Sequence, residues 1–121
     1  MPEDKRGHFR FPVASTVYVE LISPEFGSNE ATTIVKCKTL DVSIDGLRVT
    51  LEQPLPVGAI LQLGVELPPR AGTLFLVGEV RWSHPLPGTG AGQSWAAGLA
   101  TLNADDSDID AWVELLTTME T

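Results

Sequence analysis

Cysteine, positive charge and long apolar runs are all scarce in this sequence. The single cysteine, Cys37, excludes an internal disulfide, and it lies in a strand-like run, so we expect a buried and unreactive thiol. No apolar run approaches the length of a membrane span, and no apolar signal-peptide segment follows the first basic residues. A cytoplasmic protein without membrane insertion is therefore expected.

Lysine and arginine number only 8 against 16 aspartates and glutamates, which gives a formal net charge of -8. Because affinity for nucleic acids rests largely on neutralising phosphates, this charge argues against binding to DNA or RNA. It still leaves room for a small anion held by a local group of cations. Lys5, Arg6 and Arg10 form such a group near the N-terminus.

Groups that carry catalysis are also scarce. The two histidines, His8 and His84, lie far apart and lack a partner at metal-ligand spacing. Ser43 has Asp41 nearby but no histidine to complete a triad. The glycine-rich stretch at residues 88–92 lacks the lysine of a phosphate-binding loop. We therefore predict a protein that is not an enzyme and that uses no cofactor or metal.

The apolar pattern predicts a single, mainly β domain. Alternating or β-branched stretches separated by turn-forming residues predict six strands, at residues 11–21, 32–40, 47–51, 60–67, 73–82 and 94–102. Strands at this short spacing, followed by one helix, predict a six-stranded antiparallel (split) β-barrel with a C-terminal α-helix packed on it. Residues 1–10 would form a flexible leader, and residues 11–121 the barrel domain with its helix.

The helix is predicted at the C-terminal end of the domain. Residues 105–110 offer several N-caps and acidic groups at the positive end of the helix dipole, and Ser107 with Asp110 matches a capping box. An apolar stripe follows at helical spacing, formed by Ile109, Trp112, Val113 and Leu116. We expect this stripe to pack on the barrel, because small barrels need a cover; the alternative is a face that binds a partner.

Residues 39–51 contain the most informative motif, Asp41-x-Ser43-x-x-Gly46. The segment is typical of a strand, a tight turn and a second strand, and it directs Asp41 and Ser43 to the same face. Gly46 can adopt a positive φ or let a flat ligand lie against the backbone. The alternative is purely structural: Asp41 and Ser43 bond the local backbone, and Asp45 with Gly46 makes a hairpin turn.

A second motif, Arg6-x-x-x-Arg10, stands just before the first predicted strand. Alone it would be a solvated charged tail, but with the first motif it supplies the groups that bind a phosphorylated guanine. Forked arginine donors match phosphates and the O6 and N7 atoms of guanine, whereas the Asp41 carboxylate matches the guanine N1–H and N2–H donors. The predicted site comprises Arg6, Arg10, Asp41, Ser43 and Gly46. This chemistry admits any guanine nucleotide.

The two motifs, in this order, resemble those of the PilZ domain family of bacterial cyclic di-GMP receptors. The stretches at residues 78–82 and 97–102 are similar to later strands of that family, so the resemblance extends from Lys5 to the C-terminal helix. It implies that the ligand is cyclic di-GMP. It also implies that Arg6 and Arg10 hold phosphates and guanine edges, while the Asp41 motif holds a guanine base.

Three further residues are secondary candidates for this site. Trp82 either fills the barrel core, which we favour, or presents its face to a guanine or an arginine. Arg48 follows closely on the Asp41 motif. Lys5 adds a third cation to the leader and would offset part of the charge of a stacked pair of ligands, so we expect two bound ligands at high ligand concentration.

The resemblance implies a non-enzymatic receptor that signals to a protein partner. Because one small domain carries no effector of its own, the signal would pass through a ligand-induced change of the N-terminal leader and the surrounding surface. The alternative is a ligand-independent adaptor of the same shape that only mediates protein–protein interaction. The intact pair of motifs favours the receptor.

Overall fold

The computed structural model describes residues 10–23, 31–67, 72–87 and 93–120. These residues form six strands and one helix: β1 (Thr16–Ser23), β2 (Ala31–Ser43), β3 (Gly46–Leu51), β4 (Ile60–Glu66), β5 (Leu74–Pro85), β6 (Trp95–Leu102) and α1 (Ile109–Glu120). All pairings are antiparallel, and the strands close into a barrel in the order β1-β2-β3-β6-β5-β4, with β4 pairing back to β1. The predicted mainly β barrel with one C-terminal helix is confirmed.

Alternate strand residues point into the barrel and form one apolar core. Val17 and Val19 in β1 and Leu47 and Val49 in β3 are fully buried. Burial of each such side chain contributes about 1.5–3 kcal/mol to stability. Cys37 in β2 belongs to the same core, and burial raises the pKa of its thiol to about 12. The predicted burial of Cys37 is confirmed.

The first strand begins later than predicted. Phe11 exchanges two backbone hydrogen bonds with Val42, with N–O distances of 2.7 and 2.9 Å. Pro12 follows and has no N–H to donate, so the pairing is interrupted at once. Regular pairing starts only at Thr16, and the predicted start at residue 11 is wrong. The isolated Phe11 pairing holds Arg10 beside the end of β2.

β2 and β5 continue past their predicted ends. β2 reaches Ser43 because Ser43 pairs with Gly46 across the following turn. β5 reaches Pro85 because its last residues pair with the start of β6, with Pro85 opposite Trp95. Both extensions come from pairing with a neighbouring strand.

The helix packs on the barrel through Trp112 and Leu116, which are fully buried, whereas Val113 lies at the edge and stays partly exposed. Asp108 precedes the helix and links it to the start of β5: its Oδ2 accepts from the Phe75 N–H at 2.8 Å, and its own N–H donates to the Phe75 carbonyl at 2.7 Å.

The predicted capping box is wrong, because the Ser107 hydroxyl donates to the Ala104 carbonyl at 2.7 Å. Within the described ranges, no helix has both the length and the apolar character needed to cross a membrane.

Candidate ligand-binding site

The hairpin between β2 and β3 carries the Asp41 motif. Ser43 pairs with Gly46, so the tip of the hairpin consists of Ile44 and Asp45 rather than the Asp45–Gly46 turn of the structural alternative. Thr101 of β6 fixes this tip: its N–H donates to the Asp45 carbonyl at 2.9 Å, and its hydroxyl donates to the Ile44 carbonyl at 3.0 Å. The motif is therefore presented on a hairpin that is bonded to the neighbouring strand.

Gly46 serves close packing between strands. Among the described residues, only Gly58 and Gly72 have positive φ angles, so of the two options named for Gly46 the positive φ is not adopted. A Cβ atom at position 46 would lie 2.1 Å from the carbonyl oxygen of Leu99. Glycine is thus required at this position because β3 and β6 approach each other too closely for any side chain.

A β-bulge brings the Asp41 carboxylate to the outer surface. The β2–β3 register shifts between Thr39 and Asp41: Thr39 lies opposite the inward-facing Val49, whereas Asp41 lies opposite the exposed Arg48. The bulge residue is Leu40, which is 47% exposed. Since a bulge places two successive residues on one side of the strand, Asp41 faces outward together with Leu40.

Two arginines hold the Asp41 carboxylate. Arg10 donates from Nε to Oδ1 at 2.9 Å and from Nη1 to the Ser43 hydroxyl at 3.3 Å. Arg48 donates from Nε to Oδ1 at 3.1 Å and to Oδ2 at 2.8 Å, and it also donates from Nη2 to Oδ2. The side chains of Arg10 and Arg48 remain 37% and 46% exposed, but that of Asp41 is only 9% exposed.

This arrangement keeps Asp41 charged. Burial by itself raises the pKa of Asp41, but the hydrogen bonds from Arg48 and Arg10 and their positive charges outweigh burial and hold the pKa below its ordinary value. The same pairing raises the pKa of Arg48. The carboxylate is therefore a permanent acceptor at neutral pH, aimed at the outer surface and bracketed by cations.

Trp82 extends the site across the outer face of the sheet. In the strand register, Arg48 lies opposite Gly98, and Gly98 lies opposite Trp82. The indole lies directly over Gly98, where a Cβ atom would come within 2.3 Å of the Trp82 Nε1 atom. The His84 ring lies 5.1 Å from the Trp82 ring, centroid to centroid.

The prediction that Trp82 fills the barrel core is wrong. The β5–β6 register shifts between Val80 and Trp82, and this irregularity leaves Val80 buried in the core while Trp82 is half-buried on the outer face. The outer face thereby gains an aromatic platform beside the Arg48–Asp41 pair.

A shallow depression of about 420 Å³ lies over this surface. Its lining includes the charged and aromatic side chains of Arg10, Arg48, Arg81 and Trp82. Arg81 was not predicted as a site residue; it lies beside Trp82 and pairs with Glu79 at 3.4 Å between Nε and Oε1. The depression thus combines three cations with one aromatic face, which is suited to an anionic ligand that carries flat rings.

Six of the eight predicted site residues meet at or beside this depression: Arg10, Asp41, Ser43, Gly46, Arg48 and Trp82. Lys5 and Arg6 lie outside the described residues. Gly98 was missed as a contributor. Its position in the Ala-Gly-Leu stretch of the sixth predicted strand is the only signal that the sequence contains, because its place opposite Trp82 depends on the β5–β6 register.

The sequence model of the PilZ domain family matches residues 4–117. No curated protein sequence matches this chain significantly. Solved structures do: the PilZ domain of YcgR from Escherichia coli with c-di-GMP has a TM-score of 0.65 and 13% identity, over 97% of this chain and 92% of that chain.

Two further structures have a similar fold. The inhibitor of motility MotI (DgrA) from Bacillus subtilis has a TM-score of 0.65 and 16% identity over 98% of this chain, which spans only 52% of that chain. The PilZ domain of CeSA from a cellulose-synthesising bacterium has a TM-score of 0.57 and 16% identity, over 93% of this chain and 99% of that chain. At these identities the likeness establishes the fold.

Proposed function

This chain belongs to the PilZ domain family, and on that premise we propose that it is a non-enzymatic receptor for cyclic di-GMP. The contact between the two motifs is the observation that carries the proposal. Arg10 of the first motif bonds Asp41 and Ser43 of the second, which lie 31 and 33 residues further along the sequence. The YcgR domain that shares this fold was solved with c-di-GMP.

Each group has a role that follows from its chemistry. The Asp41 carboxylate accepts from the N1–H and N2–H donors of one guanine. Arg10 donates to a phosphate or to the O6 and N7 edge of a guanine, and Arg6 does the same by resemblance to the family. Trp82 offers its face to a base or to an arginine. Gly46 lines the depression, and because it has no side chain a base can lie close to the backbone there.

The signal would pass through the leader. Arg10 already lies on the Asp41 motif, so a ligand that engages Arg6 and Arg10 together draws residues 1–10 onto the barrel face near Asp41. The charged leader would then cover part of the barrel surface near Asp41. A protein partner would distinguish the covered surface from the uncovered one.

Isothermal titration calorimetry with cyclic di-GMP tests the receptor function. Arg10→Ala removes charge-assisted hydrogen bonds and should weaken binding by about 2 kcal/mol or more, roughly 30-fold. Lys36→Ala is the matched control, because it removes one positive charge from an exposed position on β2 and should leave affinity nearly unchanged. Unaltered affinity in the Arg10→Ala protein would refute the site. Absence of any binding to the unmodified protein would favour the ligand-independent adaptor.

A further inference from the structure

In the ligand-free protein, the Asp41 carboxylate that would bind a guanine is already bonded to two arginines. A carboxylate offers about four lone-pair positions, two on each oxygen. In this structure Asp41 accepts on Oδ1 from the Arg10 Nε–H and on Oδ2 from Arg48 Nη2, and the single Arg48 Nε–H is shared between Oδ1 and Oδ2. Three arginine N–H donors thus engage the carboxylate, and Arg48 occupies both of its oxygens.

The two arginines differ in which oxygens they occupy. A guanine that presents N1–H and N2–H side by side needs one free position on each carboxylate oxygen. Release of Arg10 would free Oδ1 alone, whereas release of Arg48 frees a position on both oxygens. Arg10 can therefore remain bonded while a guanine binds, but Arg48 cannot.

We propose that Arg48 stands in for the guanine edge in the ligand-free protein and that cyclic di-GMP must displace it from Asp41. The proposal rests on the proposed function, and it makes Arg48 a residue that sets selectivity. Only a ligand that returns two donors to Asp41 compensates for breaking the Arg48 pair, because Arg10 bonds Oδ1 alone and a nearly buried Oδ2 left without a donor is costly. A base with one suitable donor, such as adenine, leaves part of that cost uncompensated.

Once displaced from Asp41, the Arg48 side chain can contact the neighbouring depression instead. Arg48 lies opposite Gly98, and the Trp82 indole of the next strand lies over that glycine. The side chain of Arg48 is 46% exposed. A freed guanidinium at this position reaches the depression that Arg10, Arg81 and Trp82 line, where it can bond a ligand phosphate or stack on a base. Arg48 would thus exchange its carboxylate partner for the ligand.

Nuclear magnetic resonance of the arginine Nε–H groups tests this exchange in the full chain. Arg48→Lys and Arg10→Lys each remove one such signal and so assign it. In the free protein, both Hε protons should show nuclear Overhauser contacts to the Asp41 β-protons. At saturation with cyclic di-GMP, the contact from Arg48 should disappear while that from Arg10 persists, and a guanine N1–H signal should appear with a contact to Asp41.

The possible outcomes separate the two ideas. If calorimetry shows tight binding but the Arg48 contact to Asp41 survives saturation, displacement is refuted and the receptor function stands. If calorimetry shows no binding, both are refuted. A loss of the Arg10 contact with retention of the Arg48 contact would also overturn the assignment, because it would exchange the roles argued from the two oxygens.

Discussion

The indole N–H of Trp112 donates to the carbonyl oxygen of Ile44 at 3.2 Å, which joins the buried face of α1 to the tip of the β2–β3 hairpin. Ile44 directly follows Ser43 of the Asp41 motif. The same carbonyl also accepts from the Thr101 hydroxyl. The position of the motif therefore depends on the helix as well as on the neighbouring strand.

Trp112→Phe should loosen that hairpin. The substitution keeps an aromatic ring but removes the donor to Ile44 and part of the buried volume, so we expect a loss of roughly 2–3 kcal/mol in the free energy of unfolding. Urea denaturation measures this loss, and calorimetry at a temperature where the protein is folded should show weaker cyclic di-GMP binding. Leu116→Ala is the control: Leu116 is equally buried but has no bond to the hairpin, so its substitution should lower stability and spare affinity. Equal affinities in the two variants would exclude the coupling.

Gly46→Ala should disrupt the pairing of β3 with β6. The added Cβ would meet the Leu99 carbonyl oxygen at 2.1 Å, and backbone on both strands would have to move, at a cost of about 1–3 kcal/mol or more. Gly64→Ala is a suitable comparison, because its nearest contact is the Thr73 methyl at 3.2 Å and that side chain can shift. Thermal unfolding of the two variants measures the difference. A Gly46→Ala protein as stable as Gly64→Ala would contradict the close approach of the strands.

The Asp41 ion pairs predict a loss of stability in acid. Because the folded state holds the pKa of Asp41 below its ordinary value of about 3.9, the unfolded chain binds more protons at this site between the two values. The contribution is complete above about pH 5 and is lost as the pH falls through the depressed pKa. The stability advantage of the unmodified protein over Asp41→Asn should therefore shrink below about pH 4. Urea denaturation across this pH range measures the stability difference between the two proteins. A difference that stays constant with pH would show that the pairing does not lower the pKa of Asp41.

The Cys37 thiol should resist alkylation. With its pKa raised to about 12 by burial, roughly one thiol in ten thousand is ionised at pH 8, and only the thiolate reacts. Iodoacetamide labelling followed by mass spectrometry should show at least a hundredfold slower reaction in buffer than in urea. The raised pKa also means that Cys37 contributes stability below its unfolded pKa of about 8.5, and that this contribution is lost as the pH rises above it. Comparable labelling rates in buffer and urea would contradict the burial.

The sequence predicted what depends on local pattern. Alternation of apolar residues revealed the six strands, and helical spacing revealed that Trp112 and Leu116 face the barrel. The bulges in β2 and β5 could not be predicted from the sequence, because a bulge is set by how two distant strands pair. One bulge turns Asp41 outward, and the other keeps Trp82 out of the core.

The site shows the same limit. The order of the two motifs was enough to predict that Arg10 and Asp41 belong to one site, since each lies in a recognisable pattern, and the two side chains are bonded in the structure. The extensive bonding of Arg48 to Asp41 depends on the β2–β3 register after the bulge, and no spacing in the sequence encodes that register. Arg48 was therefore only a secondary candidate, although it makes more contacts with the carboxylate than Arg10 does.

Lys5 bears on how many ligands bind. A stacked pair of cyclic di-GMP molecules would place four negative charges over a depression whose described cations are Arg10, Arg48 and Arg81. A further cation from the leader would offset part of the repulsion, by roughly 1 kcal/mol at a half-exposed site. We expect two ligands per protein at high ligand concentration and a shift toward one in Lys5→Leu, with Lys36→Leu as the charge-matched control. Calorimetric titration well past saturation measures both endpoints. A value of one for the unmodified protein would refute the stacked pair, because the neutralising groups would then suffice for a single ligand only.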